Sequence, residues 1–73
     1  MNNTLTDGDM EIIETMAECD LNTTATARKL YLHRNTIVYR IQRIRKKTGC
    51  DIRKFYDMCR VLDHIDNGYY EHE

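Results

Sequence analysis

Isoleucine recurs at helical spacing in the middle of the chain. Ile37, Ile41 and Ile44 occupy positions i, i+4 and i+7, which lie on one face of an α-helix. At about 100° per residue, several polar and basic residues fall on the opposite side of the same helix. Those residues are Asn35, Thr36, Tyr39, Gln42, Arg43 and Lys46. The pattern predicts a helix over about residues 34–47, with an apolar stripe buried and a polar, cationic face exposed.

A capped helix is predicted near the start of the chain. Thr6 and Asp9 form a variant of the capping box, in which Asp stands where Glu or Gln is usual. Leu5 and Met10 occupy the two positions of a hydrophobic staple around that cap. The helix is therefore expected to begin after Thr6 and to end near residue 19 or 20.

A short helix and a tight turn precede the central helix. Thr23 or Thr24 is expected to cap the short helix, because a side-chain oxygen there can accept hydrogen bonds from the first free amides. The chain is expected to turn at residues 31–33, with Leu32 buried beneath the turn. Gly49 is expected to end the central helix in a left-handed conformation.

A fourth helix is predicted from between residues 51 and 54 to about residue 66. Its buried stripe is expected to consist of apolar residues at helical spacing: Phe55, Met58, Leu62 and Ile65. Proline is absent and no strand-like alternation occurs, so the fold is predicted to be all-α, a small four-helix bundle. Residues 1–73 are expected to form a single domain, ordered over about 5–66, with a frayed tail at 67–73.

The charges are segregated along the chain. The net charge is only −1, but residues 21–50 contain no Asp or Glu, whereas the segments on both sides are net acidic. Eight cations lie in this acid-free stretch: Arg28, Lys29, Arg34, Arg40, Arg43, Arg45, Lys46 and Lys47. Such segregation is typical of proteins that bind nucleic acids. A basic face that merely contacts solvent is the alternative.

Several other classes of protein are disfavoured. No apolar run approaches the roughly 20 residues that cross a bilayer, and no secretory signal is present, so a cytoplasmic protein without membrane contact is expected. The three cysteines lack CxxC spacing, and the histidines lack metal-ligand spacing, so we expect no metal and no cofactor. Serine is absent and no nucleophile constellation occurs, which disfavours an enzyme.

The central sequence resembles a known family. The run LYLHRNTIVYRIQRI, followed by KKTGCDI, is similar to the C-terminal helix-turn-helix domain of bacterial PucR-type transcriptional regulators, which include the sugar-diacid regulator. A weaker resemblance links the same region to the nucleoid-associated Fis protein. These resemblances imply a Fis-like or homeodomain-like helix-turn-helix that binds double-stranded DNA. They also imply a parent regulator with a sensor domain, and a location at the nucleoid.

The candidate DNA contacts follow from the chemistry of the helix over residues 34–47 and from these resemblances. Its amino end is expected to enter the major groove, where Arg can pair with guanine and Asn with adenine. The expected base contacts are Arg34, Asn35, Val38 and Tyr39. The expected phosphate contacts are Thr24, His33, Thr36, Arg40, Arg43 and Lys46. Binding as a homodimer is possible, with two such helices separated by about 34 Å.

Alternatives remain for single residues and for the whole protein. Tyr31 and Tyr39 could be half-buried packing residues, Arg40 could pair with Glu11 or Glu14, and His33 could be only a helix cap. The protein as a whole could be an architectural, Fis-like DNA-bending protein without sequence preference. It could also be a protein-interaction module whose acidic first and last helices form the working surface.

Overall fold

A computed structural model of the chain describes residues 4–68. It contains four helices: α1 (Asp7–Glu18), α2 (Thr23–Lys29), α3 (Arg34–Thr48) and α4 (Phe55–Asp66). Short connections join them into a small all-α unit with α2 and α3 packed against each other and against α1. The four-helix prediction is confirmed. The expected fraying of the tail concerns residues beyond position 68 and lies outside the described residues.

Helix α1 begins where the sequence predicts. The Asp9 N–H donates to the Thr6 hydroxyl oxygen at 3.0 Å, and the Thr6 N–H donates to the Asp9 carboxylate at 3.1 Å. This reciprocal pair satisfies two amide groups that a helix start otherwise leaves without partners. Leu5 and Met10 are both buried beside the cap, as expected for a hydrophobic staple.

Helices α1 and α2 end in the same kind of turn. Asp20 and Tyr31 adopt left-handed backbone, with φ of 54° and 56°, directly after the cap residues of the two helices. The next residue donates its N–H back into the helix, Leu21 to Met16 at 2.8 Å and Leu32 to Ala27 at 2.9 Å. This is the Schellman arrangement, which usually has Gly at the left-handed position. Tyr31 thus turns the chain between α2 and α3 without glycine.

Two expectations around α2 are wrong. The cap is Asn22 and not Thr23 or Thr24, because the Asn22 side-chain oxygen accepts from the Ala25 N–H at 2.9 Å and Thr23 is already helical. Leu32 is 36% exposed rather than buried. Its N–H closes the end of α2, and its side chain stays at the surface of the turn.

The core lies between α1, α2 and α3, and α4 closes one side of it. The isoleucine stripe of α3 is confirmed, since Ile37, Ile41 and Ile44 are at most 1% exposed. Around it pack buried residues from the other elements: Leu5, Met10, Ile12, Ile13, Met16, Ala27, Cys50, Ile52, Met58 and Val61. These contacts hold α3 by one side only, so its other side is left at the surface.

Helix α4 buries less than expected. Met58 and Val61 are buried and Leu62 and Ile65 are partly buried, but Phe55 is 75% exposed, which contradicts its predicted place in the stripe. Phe55 lies in the first turn of α4, opposite the end of α1. Because α1 ends at Glu18, no further helical turn covers the outward side of the ring.

Candidate nucleic-acid interface

The amino end of α3 is exposed at the surface. Arg34 and Asn35 are exposed in the first turn, Tyr39 is 62% exposed one turn later, and Val38 is half-buried at the edge of the isoleucine stripe. The alternative in which Tyr39 is half-buried is therefore not favoured. The four expected base-contacting residues thus share one end of one helix, with the two most polar of them at its tip.

His33 caps α3 through its side chain. The Asn35 N–H donates to His33 Nδ1 at 3.0 Å. A neutral imidazole that accepts at Nδ1 carries its proton on Nε2, so the ring keeps a donor for another group. His33 is therefore a helix cap, and the phosphate contact expected of it stays a prediction.

The threonines expected at phosphates lie on both helices of the unit. Thr24 is exposed in the first turn of α2, and Thr36 is half-buried in the first turn of α3. Tyr31 is 95% exposed in the turn between these helices. The alternative in which Tyr31 is a half-buried packing residue is therefore wrong.

The three α3 cations expected at phosphates form no ion pair within residues 4–68. Lys46 is exposed, and Arg40 and Arg43 are half-buried. Arg40 does not pair with Glu11 or Glu14, since the described ion pairs join other residues. Its guanidinium lies over the first turn of α1, where a Cβ added at Gly8 would be 3.0 Å from Nη1. Glycine at this position therefore gives the arginine its space.

Lys47 is the cation that differs from these. Its ammonium group donates to Asp9 Oδ2 at 2.7 Å, and the two side chains are only 17% and 0% exposed. Burial by itself would raise the pKa of Asp9, but the hydrogen bonds from Lys47 and Thr6 and the charge of Lys47 lower it further than burial raises it. Asp9 Oδ1 has no hydrogen-bond partner among residues 4–68. The pair ties the last turn of α3 to the cap of α1.

The link from α3 to α4 is held by a second carboxylate. Arg53 donates to both oxygens of Asp51 at 3.0 Å, and the Asp51 N–H donates to Asp57 at 2.9 Å. The pKa of Asp51 is lowered, mainly by the hydrogen bond from the Arg53 side chain. Burial acts in the opposite direction, and the charge of Arg45 makes a smaller contribution to the lowering. The Asp51 carboxylate thus joins Arg53 in the link to the start of α4.

A comparison with known protein families identifies the family to which this arrangement of helices belongs. The family description "PucR C-terminal helix-turn-helix domain" matches residues 10–62, well over half of the chain. The chain belongs to the PucR C-terminal helix-turn-helix family. In this family the domain is a DNA-binding, transcription-regulating unit, and it is typically not an enzyme. The resemblance seen in the sequence is thus confirmed, together with the all-α fold.

Other comparisons are narrower. The PucR-type domain is 42% identical over 43 residues to the uncharacterized protein YxkF of Bacillus subtilis (strain 168). The alignment covers 59% of this chain and only 14% of YxkF, so the chain corresponds to a small part of that relative. No solved structure matches. Within residues 4–68 no helix is long and apolar enough to cross a membrane.

The structure exposes Arg34, Asn35 and Tyr39 near the amino end of α3 and Thr24 in the first turn of α2, whereas Arg40 lies over the first turn of α1. The sequence predicted a phosphate contact for Lys46 and not for Lys47, but it did not indicate Asp9 as the partner of Lys47. No local signal could have found that pair, because the two residues are 38 positions apart. The sequence also failed to indicate Asn22 as the cap of α2, although Asn is at least as favourable at a cap as Thr. The small residues that follow Asn22 did not show at which of the three positions the helix begins.

Proposed function

We propose that this domain binds double-stranded DNA in a sequence-specific manner, with α3 in the major groove. The observation that carries the proposal is the exposed face of α3, which begins with Arg34 and Asn35 and contains no acid. An α-helix fits the major groove, where each base pair presents its own pattern of donors and acceptors. Negative phosphates would meet no carboxylate along this face, since residues 21–50 contain none.

The base contacts are proposed for the amino end of α3. Arg34 has a guanidinium fork that suits guanine O6 and N7, and the Asn35 amide suits adenine N6 and N7. Tyr39 is one turn further on and offers a hydroxyl group or a ring edge. Val38 is half-buried, so only its outer methyl group is available for a thymine methyl.

The phosphate contacts are proposed for the residues around that end. The Thr24 and Thr36 hydroxyls and the His33 Nε2 proton are donors for phosphate oxygens. Arg40, Arg43 and Lys46 add positive charge that no described carboxylate neutralises. Such contacts fix the position of a protein on DNA and supply affinity without reading sequence.

The setting of the domain is part of the proposal. The alignment covers 14% of YxkF and the matched family is described as a C-terminal domain, which together support a place at the carboxyl end of a larger regulator. A sensor domain elsewhere in that regulator is part of the proposal. Two copies would read two half-sites about 34 Å apart. A regulator of this kind would work in the cytoplasm, at the nucleoid. No catalytic role and no cofactor is proposed.

Selection of bound sequences from a random duplex pool tests sequence reading. The expected result is an enriched motif with two related halves. The enriched duplex and a scrambled duplex of the same composition are then titrated by fluorescence anisotropy at several salt concentrations. Binding to the enriched duplex should be tighter and should weaken steeply with salt, because bound phosphates release their counterions.

Two other results would redirect the proposal. Equal affinity for the enriched and scrambled duplexes would favour an architectural protein that bends DNA. Absence of salt-sensitive binding to any duplex would overturn DNA binding itself. A variant in which Arg34, Arg40 and Arg43 are all replaced by Ala is the matched negative control, and far-ultraviolet circular dichroism checks that it folds. If that variant loses DNA binding but still performs the biological role of the protein, a protein-interaction module is favoured.

A further inference from the structure

The outward face of α4 exposes large apolar groups. Phe55 and Tyr56 are 75% and 77% exposed in its first turn. With Cys59, Arg60 and Asp63 they line a shallow depression of about 290 Å³. These five residues are called the α4 face below. Adjacent aromatic side chains at a surface mark a site of contact with another macromolecule more often than isolated apolar residues do.

An apolar groove continues the α4 face toward α1. This groove has a volume of about 370 Å³ and shares Phe55 and Cys59 with the α4 face. Its remaining lining comes from the end of α1, the turn after it and the inner side of α4: Ala17, Asp20, Leu21, Met58 and Leu62. The exposed apolar surface is therefore a continuous strip and not a single side chain.

We propose that the α4 face is the surface on which a second copy of this chain docks, with the two α4 helices antiparallel about a two-fold axis. The proposal rests on the proposed function, because it names the surface through which two DNA-reading copies would meet. It requires no residue from the candidate DNA contacts on α2 and α3.

The charges on the α4 face complement a second copy of the same face. Arg60 and Asp63 are exposed, lie about one helical turn apart, and form no ion pair within residues 4–68. A two-fold axis reverses the order of residues along the facing helix. When the axis passes between residues 60 and 63, Arg60 of one copy lies level with the partner's Asp63, and the contact occurs twice.

The aromatic residues supply the apolar part of the same contact. In protein interfaces, a few buried aromatic side chains contribute most of the affinity, and charged pairs contribute mainly to specificity. With the axis between residues 60 and 63, the charged pairs lie at the centre of the contact. Phe55 and Tyr56 lie about 9 Å from the axis along α4, so the aromatic residues of the two copies cover the two ends of the contact. DNA is a poor occupant, because Asp20 and Asp63 border the apolar strip and would repel phosphates.

Sedimentation equilibrium of the 73-residue chain without DNA tests the proposal. The expected result is a reversible monomer–dimer equilibrium. Tyr56→Ala should raise the dimer dissociation constant by at least about tenfold, as truncation of a buried interface aromatic does. Glu11→Arg, an exposed charge reversal on α1, is the matched control and should leave the dissociation constant unchanged.

A charge swap tests the orientation of the two copies. Arg60→Asp and Asp63→Arg should each weaken the homodimer, because each variant places like charges at both symmetric contacts. The double variant should restore dimerisation, and an equimolar mixture of the two single variants should form a heterodimer. Circular dichroism shows whether every variant remains helical.

Two outcomes would overturn the proposal. One is a monomer at all concentrations, and the other is a dimer that Tyr56→Ala and both charge reversals leave unchanged. Neither outcome bears on DNA reading, because the anisotropy titration of the unchanged chain measures DNA binding separately. Failure of DNA binding, in turn, leaves the sedimentation result intact.

Discussion

Helices α3 and α4 both bury aliphatic side chains against the core, but their outward faces differ in kind. The outward face of α3 is polar and cationic and begins with Arg34 and Asn35. The outward face of α4 is aromatic, with Phe55 and Tyr56 exposed, and carries charges of both signs. The buried faces make the two helices look alike, so only the outward faces separate a surface suited to DNA from one suited to protein.

The two helices also differ in how firmly they are held. Three isoleucines that are at most 1% exposed hold α3, and Lys47 fastens its last turn to Asp9. Helix α4 has two buried side chains, Met58 and Val61, and its other apolar side chains that face the core are only partly buried. A helix that presents side chains to bases needs a fixed orientation, because recognition depends on groups held in place by packed residues.

The largest expected effect is a difference in stability between a substitution in the buried stripe of α3 and one in the exposed aromatic face of α4. Ile41→Ala should lower the free energy of unfolding by about 2–5 kcal/mol, because it leaves a cavity at a fully buried site. Phe55→Ala removes more atoms but should change it by no more than about 0.5 kcal/mol, because the ring is exposed. Urea unfolding followed by circular dichroism measures both. Equal losses would contradict the assigned burial.

A smaller effect is expected at two neighbouring lysines. Lys47→Met should lower the free energy of unfolding by about 1–3 kcal/mol, because it leaves the buried Asp9 carboxylate without its charged donor. Lys46→Met is the matched control, and it should change stability by at most about 0.5 kcal/mol because Lys46 is exposed. The same urea experiment applies. If the two variants are equally stable, the Lys47–Asp9 pair does not hold α3 as described.

The roles proposed along α3 predict different effects on DNA binding. Arg34→Ala should reduce discrimination between the preferred and scrambled duplexes by about 1–3 kcal/mol, because one bidentate base contact is lost. Lys46→Ala should weaken binding to both duplexes alike and reduce the slope of log affinity against log salt by about one. Anisotropy titrations at several salt concentrations measure both. Interchanged effects would show that the base-reading end of α3 is assigned wrongly.

The smallest expected effect is the dependence of stability on pH. The folded state lowers the pKa of Asp9, so its contribution is complete above the ordinary carboxyl pKa and is lost as the pH falls through the lowered folded value. Thermal unfolding across the acid range should show this loss. In Lys47→Met, the hydrogen bond and the charge of the lysine that lower the pKa of Asp9 are lost, so the Asp9-dependent loss of stability in acid should be smaller than in the unchanged chain or reversed. An identical acid dependence would argue against the pair.

Much of this arrangement follows from local sequence. The starts of α1 and α3, the Thr6–Asp9 box, the isoleucine stripe and the left-handed Gly49 with φ of 77° agree with expectation. Each depends on residues within one or two turns of one another, and the backbone hydrogen bonds of a helix are equally local. The cap of α2 was predicted wrongly because Asn22, Thr23 and Thr24 can all serve as caps, and the first of them, which is also the strongest cap type, is the one used.

What the sequence by itself determined was the set of helices, the side of α3 that is buried and the absence of acid from its other side. The tertiary structure alone decided the exposure of Phe55, Tyr31 and Leu32, because exposure depends on which neighbouring element ends nearby. The tertiary structure also decided that Lys47 and not Lys46 forms an ion pair with Asp9, because Asp9 lies close to α3 only when α1 packs against it. Local propensity has a range of a few residues, whereas burial and pairing depend on segments that only folding brings together.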